Sequence, residues 1–306
     1  MRKLLYHPAV INRLRPYKPL YNKYFGKGPR KELYVDPVEA LSGLGNRGVF
    51  LFSFGRCGTT VFCDFLNTHD QVASLGEVLN EEAFHSYFKT VNSRRGRKLG
   101  YFPSAVTNGF YQHMARLGRR DSKTRYIVDM KFEGMHLIEG NWRLPGVSFK
   151  LFEHLKSAGS VVVLLERRNL VARHLSHELA GHRNQYHSFQ KPAAAFDPFP
   201  IDLDMLDREI ETIQAQYRHV RKVFSDYDRF VDTCYEDLFE KVGDGPETAF
   251  SSSLAERLAA LMGITPSFDM TPQLQKVSDR PLNSYIVNHE EVAAYQERFM
   301  AGLTAK

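Results

Sequence analysis

Residues 50–69 read FLFSFGRCGTTVFCDFLNTH. With Val49 in front, the run VFLFSF to Phe54 has the β-branched and aromatic content of a short buried strand. A turn follows: Gly55, Arg56, Cys57, Gly58, Thr59, Thr60. From Thr60 to Asn67 the pattern is that of an amphipathic helix, with Phe62, Phe65 and Leu66 on its inward side. Glycines at 55 and 58 let the backbone turn sharply and approach a ligand closely. A helix start leaves its first amides unpaired and carries partial positive charge, so a phosphate or sulfate sits well there. Thr59 and Thr60 add hydroxyl donors, and Arg56 adds a charged fork. No Gly-Lys-Ser/Thr follows, which disfavours a magnesium-dependent kinase or GTPase. A tight strand-to-helix turn without a ligand is the plainer alternative.

A second strand-to-helix passage lies at residues 161–182, VVVLLERRNLVARHLSHELAGH. VVVLL is apolar at every position, as suits a strand buried on both faces of a parallel sheet. Arg167, Arg168 and Asn169 leave its end, and Ser176 lies eight residues beyond Arg168. In parallel α/β sheets ligands bind at the carboxyl edge. An arginine and a serine hydroxyl there make an anion clamp, although a surface ion pair and a helix-surface serine would look the same. His177 and His182 resemble a zinc-protease helix at first sight, but they are five residues apart, which turns them about 140° from each other. His174 and His177 have no third ligand in view.

Further strand-like runs, Tyr126–Phe132 and Arg229–Tyr235, alternate with helical stretches at Asn169–His182, Met205–Asp226 and Leu254–Met262, the last stopped by Gly263. The alternation predicts an α/β fold: three layers, with a central, mostly parallel sheet flanked by helices. Ser188–Pro200, with three prolines, reads as an irregular insertion. The composition, 43% apolar and 25% charged in 306 residues, is that of a globular chain. Three cysteines, Cys57, Cys63 and Cys234, form no disulfide framework and fit a reducing compartment. No apolar h-region or membrane-length run is present, so the expectation is a cytoplasmic protein.

The net charge of +6 is unevenly spread, since the chain before Glu32 carries nine lysines and arginines and no acid. Residues 1–45 therefore read as a basic arm, either solvated or touching an anionic membrane face. No nucleic-acid-binding motif accompanies it, so nucleic acid is not expected as a partner.

Together the two motifs resemble the PAPS-dependent sulfotransferases, most of all the bacterial carbohydrate enzymes acting on nodulation lipo-oligosaccharides, lipopolysaccharide or trehalose. The family's 5′-phosphosulfate loop typically reads Arg-Ser-Gly-Ser/Thr-Thr-Leu after a strand, and this chain has Arg56-Cys57-Gly58-Thr59-Thr60-Val61. The family's 3′-phosphate motif has a serine eight residues after its arginine, as Arg168 and Ser176 do. Gly76-Glu77, Tyr235-Glu236-Asp237-Leu238 and the segment around Asn288 are similar to further family features. The resemblance implies a P-loop-like catalytic domain over residues 46–306. PAPS (3′-phosphoadenosine 5′-phosphosulfate) would be the donor and PAP the product. A carbohydrate or glycolipid hydroxyl would be the acceptor, and no metal would be required.

The roles implied are as follows. Gly55, Arg56, Cys57, Gly58, Thr59 and Thr60 would hold the 5′-phosphosulfate, and Arg168 and Ser176 the 3′-phosphate. Lys276 and Arg280 would close over that phosphate. Glu77 would be the general base, with Arg56 and Lys131 stabilising developing charge. A solvated Glu77 ahead of a helix at Asn80–Phe88, and an exposed Lys131, are the alternatives. Cys57 replaces the family's serine. Either its backbone N–H carries the contact or donor affinity falls, and a thiol activated by the helix N-terminus is a further reading. Trp142, Tyr186, His187 and the Ser188–Pro200 insertion could form a sugar platform or simply pack in the core. A kinase-like nucleotide enzyme and a non-catalytic module binding PAP or sulfated glycans are the rival functions.

Overall fold

The computed structural model describes residues 35–79, 103–120, 123–139, 146–183, 197–241, 248–271 and 282–304. Five parallel strands make the central sheet: β1 (Gly48–Ser53), β2 (Val72–Glu77), β3 (Arg125–Lys131), β4 (Val161–Glu166) and β5 (Phe230–Cys234). Their order is β2-β3-β1-β4-β5. β1 pairs with β3 on one edge and with β4 on the other. It is buried at every position, and its side chains alternate between the two faces. Phe50 and Phe52 join one apolar cluster, while Val49 and Leu51 join a second on the opposite face.

Helices cover both faces. On the first lie α1 (Pro37–Ser42), α3 (Pro103–Gly118), α4 (Met135–Glu139), α5 (Lys150–Ser157), α6 (Leu170–Arg183) and α7 (Leu203–Val223). On the second lie α2 (Thr59–Leu66) and α8 (Ser252–Met262), beside a small antiparallel pair, β6 (Phe239–Lys241) and β7 (Thr248–Phe250). Helix α9 (His289–Thr304) comes last.

The long helix α7 shows how the sequence builds these elements. Asp202 caps it by accepting from the Asp204 and Met205 amides, while Arg221 and Lys222 face the negative end of its dipole. Leu206, Ile210, Ile213, Tyr217 and Val220 recur at helical spacing and are buried against the sheet. Helix α8 stops at Gly263, whose φ of 65° is the left-handed cap.

The predicted α/β architecture is the one found, with the strands ending within a residue or two of expectation. Strand β2, VASLGE, was not foreseen. Its small residues and a bulge between Ser74 and Glu77 weaken the strand pattern. Residues 1–34, most of the 188–200 insertion and the helix expected at 80–88 lie outside the described residues. Ala40, Leu41 and Leu44, from the end of the segment read as an arm, are buried in the first cluster. Among the described residues no helix is long and apolar enough to cross a membrane.

Phe152 on α5 anchors the first cluster. It meets Phe52, Phe149 and Phe224 edge-on at 5.2, 5.4 and 5.3 Å. Phe152→Ala is expected to cost about 3–5 kcal/mol. The cost should appear as a lower urea midpoint with an unchanged slope.

Candidate anion site at the carboxyl edge of the sheet

Strand β1 hands the chain to α2 through residues 54–58, and neighbouring elements fix this loop from several sides. The Gly55 N–H donates to Glu133 Oε1 at 2.9 Å, and the Gly55 carbonyl accepts from Arg173 Nε at 2.9 Å. Arg56 has φ 67°, the one left-handed non-glycine among the described residues. Gly58 has φ 85°, and a Cβ there would lie 2.3 Å from the Tyr235 ring. Both dihedral and space therefore demand glycine at 58. Gly58 is also the N-cap of α2 and makes no side-chain cap bond. The helix thus begins without a capping oxygen on its amides.

Cys57 is fully buried, and its Sγ shares a hydrogen bond with the Tyr217 hydroxyl at 3.4 Å. Burial pushes the thiol pKa up, against the opposing pull of Tyr217, Arg173 and Lys131. This overturns the reading of Cys57 as a thiol activated by the helix start, because desolvation outweighs the nearby charges. Its Sγ also lies 3.9 Å from the Gly55 carbonyl of the same turn.

Arginines gather beside the loop. Arg56 Nε donates to Ser176 Oγ on α6 at 3.1 Å. Arg167 Nη1 reaches the Arg56 carbonyl at 3.4 Å, and its guanidinium lies 5.3 Å from the centre of the Tyr235 ring. Arg168 turns instead to the 3-10 turn after β5. Its Nη2 donates to both oxygens of Asp237, at 3.0 and 2.8 Å, and to Cys234 Sγ at 2.9 Å. The Glu236 carboxylate accepts from the Arg168 and Asn169 amides at 2.9 and 3.0 Å, just ahead of α6, whose Ala172 amide donates to Asn169 Oδ1 at 2.9 Å. The hydrogen bond with Asp237 heads the causes that hold the Arg168 pKa up.

The structure thus pairs Ser176 with Arg56 rather than with Arg168. Ser176 lies six residues past the first residue of α6, Leu170, about 9 Å along the helix, and this carries it back over the first loop. All of these arginines nevertheless share one edge of the sheet, at the ends of the adjacent strands β1 and β4.

Lys131 ends β3 next to the same loop. Its ammonium donates to Ser53 Oγ at 3.2 Å, to Thr59 Oγ1, and to both oxygens of Asp129 at 2.8 Å. Glu77 Oε1, at the end of β2, is 3.6 Å away. Burial alone would lower the Lys131 pKa, but Asp129 and Glu77 outweigh it and hold the ammonium charged. The lysine side chain is 12% exposed, which corrects the alternative of a surface lysine. Thr59 is buried facing Lys131, whereas Thr60 is half-buried at the helix start.

Lys276, Arg280, Trp142, Tyr186 and His187 lie outside the described residues. Asn288 is a brace: its side chain exchanges two 2.9 Å hydrogen bonds with the backbone of Ile201.

Several residues of the site were not singled out from sequence. Asp129 could have been, as the lone acid inside the apolar run YIVDM. Glu133, Arg173 and Glu209 carry no such signal. Arg173, only 2% exposed, binds Glu209 of α7, and Glu209 also holds His174 Nδ1. Burial would raise the Glu209 pKa, but His174 and Arg173 lower it from the ordinary 4.5 to about 2. A carboxyl held lower in the folded chain adds stability that is fully present above about pH 4.5 and is lost as pH falls through about 2. Glu209→Gln should therefore flatten the acid limb of a stability-against-pH curve between those values.

No protein-family model and no curated protein matches the chain. Among solved structures, it is similar to a crystal structure of retinol dehydratase in a complex with retinol and PAP, at 14% identity, covering 85% of this chain and 81% of that one. The TM-score is 0.39, a likeness too loose to assign a role to any residue.

Proposed function

We propose that this chain is a sulfotransferase that moves a sulfuryl group from PAPS to a hydroxyl of a carbohydrate or glycolipid acceptor. The observation that carries the reading is one rim of positive groups: the uncapped start of α2 with Arg56, Arg167 and Lys131 beside it, and Arg168 past the end of the adjacent strand β4, paired with Asp237. The order and spacing of the two sequence motifs agree with it, and the lack of Gly-Lys-Ser/Thr argues against magnesium-dependent phosphoryl transfer.

In this reading the amides of Thr59 and Thr60 and the guanidinium of Arg56 bind the 5′-phosphosulfate. Gly55 and Gly58 serve by shape, and Cys57 by its backbone. Arg168 takes the 3′-phosphate, with Ser176 beside Arg56. Lys276 and Arg280 would close over the nucleotide. The Asp237 carboxylate holds Arg168 in the ligand-free chain, so the 3′-phosphate takes its place. That exchange costs little, because the Arg168 and Asp237 side chains are 46% and 57% exposed.

The acceptor oxygen forms a bond to sulfur as the bond from sulfur to the bridging phosphate oxygen breaks, and PAP leaves with the electron pair. Glu77 receives the acceptor's proton. Lys131 and Arg56 oppose the charge growing on the leaving oxygen. The nine lysines and arginines before Glu32 would suit contact with an anionic membrane face.

Thermal shift with PAP, AMP and ATP with magnesium tests the donor. PAP at 100-fold its Kd should stabilise the fold by about 2.7 kcal/mol. Its preference over AMP should vanish in Arg168→Ala. Stabilisation by ATP with magnesium in place of PAP would instead favour a kinase-like enzyme. Transfer from labelled PAPS to a glycolipid panel should be lost in Glu77→Gln while PAP binding is kept. PAP binding without transfer to any acceptor would favour a non-catalytic module.

A further inference from the structure

Gly55 opens the loop, and side chains take both of its backbone polar groups. Glu133, from the 3-10 turn after β3, accepts from its N–H, and Arg173, from α6, donates to its carbonyl. Arg173 and Glu133 also meet each other, at 3.4 Å. The Arg173 guanidinium is neutralised further by Glu209 of α7 and lies 5.7 Å from the centre of the Phe54 ring.

Beyond this grip stands Arg56 with its left-handed φ of 67°. A residue with a Cβ keeps that conformation only where its surroundings over-determine it. The surroundings here are Arg167 on the Arg56 carbonyl, Ser176 on its guanidinium, and the doubly held residue just before it, Gly55. Ser176 and Arg173 are three residues apart on α6, hence on one helix face. One face of α6 therefore holds two successive residues of the loop. The Gly55 N–H, directed at Glu133, is not among the amides offered to a ligand.

We infer that Glu133 and Arg173 are positioning residues: a latch on Gly55 that sets the loop in its anion-binding conformation and ties it to α6 and α7. This inference rests on the loop's role in the proposed function for its second readout, but not for its first.

The first readout is hydrogen exchange of the ligand-free full chain, followed on peptides spanning residues 54–58. Glu133 is 48% exposed, so Glu133→Ala should fold. It should speed exchange in those peptides about tenfold, the loss expected for one charge-assisted hydrogen bond. Glu133→Gln, whose amide oxygen still accepts from Gly55, should restore the slow rate. Arg173→Lys, which keeps the charge beside Glu209 but loses the fork, should also speed exchange there.

The second readout is PAP affinity by calorimetry, expected to weaken about tenfold in Glu133→Ala and to recover in Glu133→Gln. Unchanged exchange in both Glu133→Ala and Arg173→Lys overturns the latch. Faster exchange with unchanged PAP affinity overturns its positioning role. If wild-type protein does not bind PAP at all, the donor assignment falls, while the exchange rates still decide whether the latch exists.

Discussion

Strand β1 is bonded on both edges, by β3 and by β4, and this constraint determines what surrounds the turn at its end. A loop leaving the middle of a parallel sheet cannot avoid the ends of its two neighbours. Here β3 ends in Lys131 and β4 leads into Arg167 and Arg168. Positive charge therefore converges on residues 55–59 from both sides before any helix contributes. The strand order places β1 where successive connections run to opposite sides, the crevice in which α/β sheets take their ligands.

Burying so much charge has a cost that the fold offsets with pairs. Arg173 meets Glu209 and Glu133, and Lys131 meets Asp129 and Glu77. An uncompensated ion in such surroundings would be strongly destabilising. The pairs also span elements distant in sequence. Arg173 links α6 to α7 and to the turn after β3, so the loop at the end of β1 is referenced to two helices of the first layer and to the end of a neighbouring strand. The rim of the sheet is in consequence more rigidly specified than its loops alone would allow.

The elements that were legible in the sequence share a local signature. VVVLL suits a strand buried on both faces, and the two glycines of GRCG between a strand and a helix suit a sharp turn. Lys131 and Arg168 were legible as charges at strand ends. What stayed hidden depended on three-dimensional proximity. Arg173 sits in RHLSH and looks like any solvated helix charge, yet its partner Glu209 lies on another helix. Ser176 was placed by spacing with Arg168, whereas the pitch of α6 delivers it to Arg56. Cys57 was legible as an oddity but not as an inward-facing one, since only the packing of α7 supplies Tyr217.

The Tyr235 ring over Gly58 couples the two ends of the site. Glycine at 58 answers two separate demands, an absent side chain under the ring and a left-handed backbone. Trimming the ring would relieve the first and leave the second. Positions 58 and 235 are therefore bound as a pair in one direction alone: the tyrosine can change while the glycine stays, but a change at 235 still leaves at 58 a left-handed backbone that favours glycine.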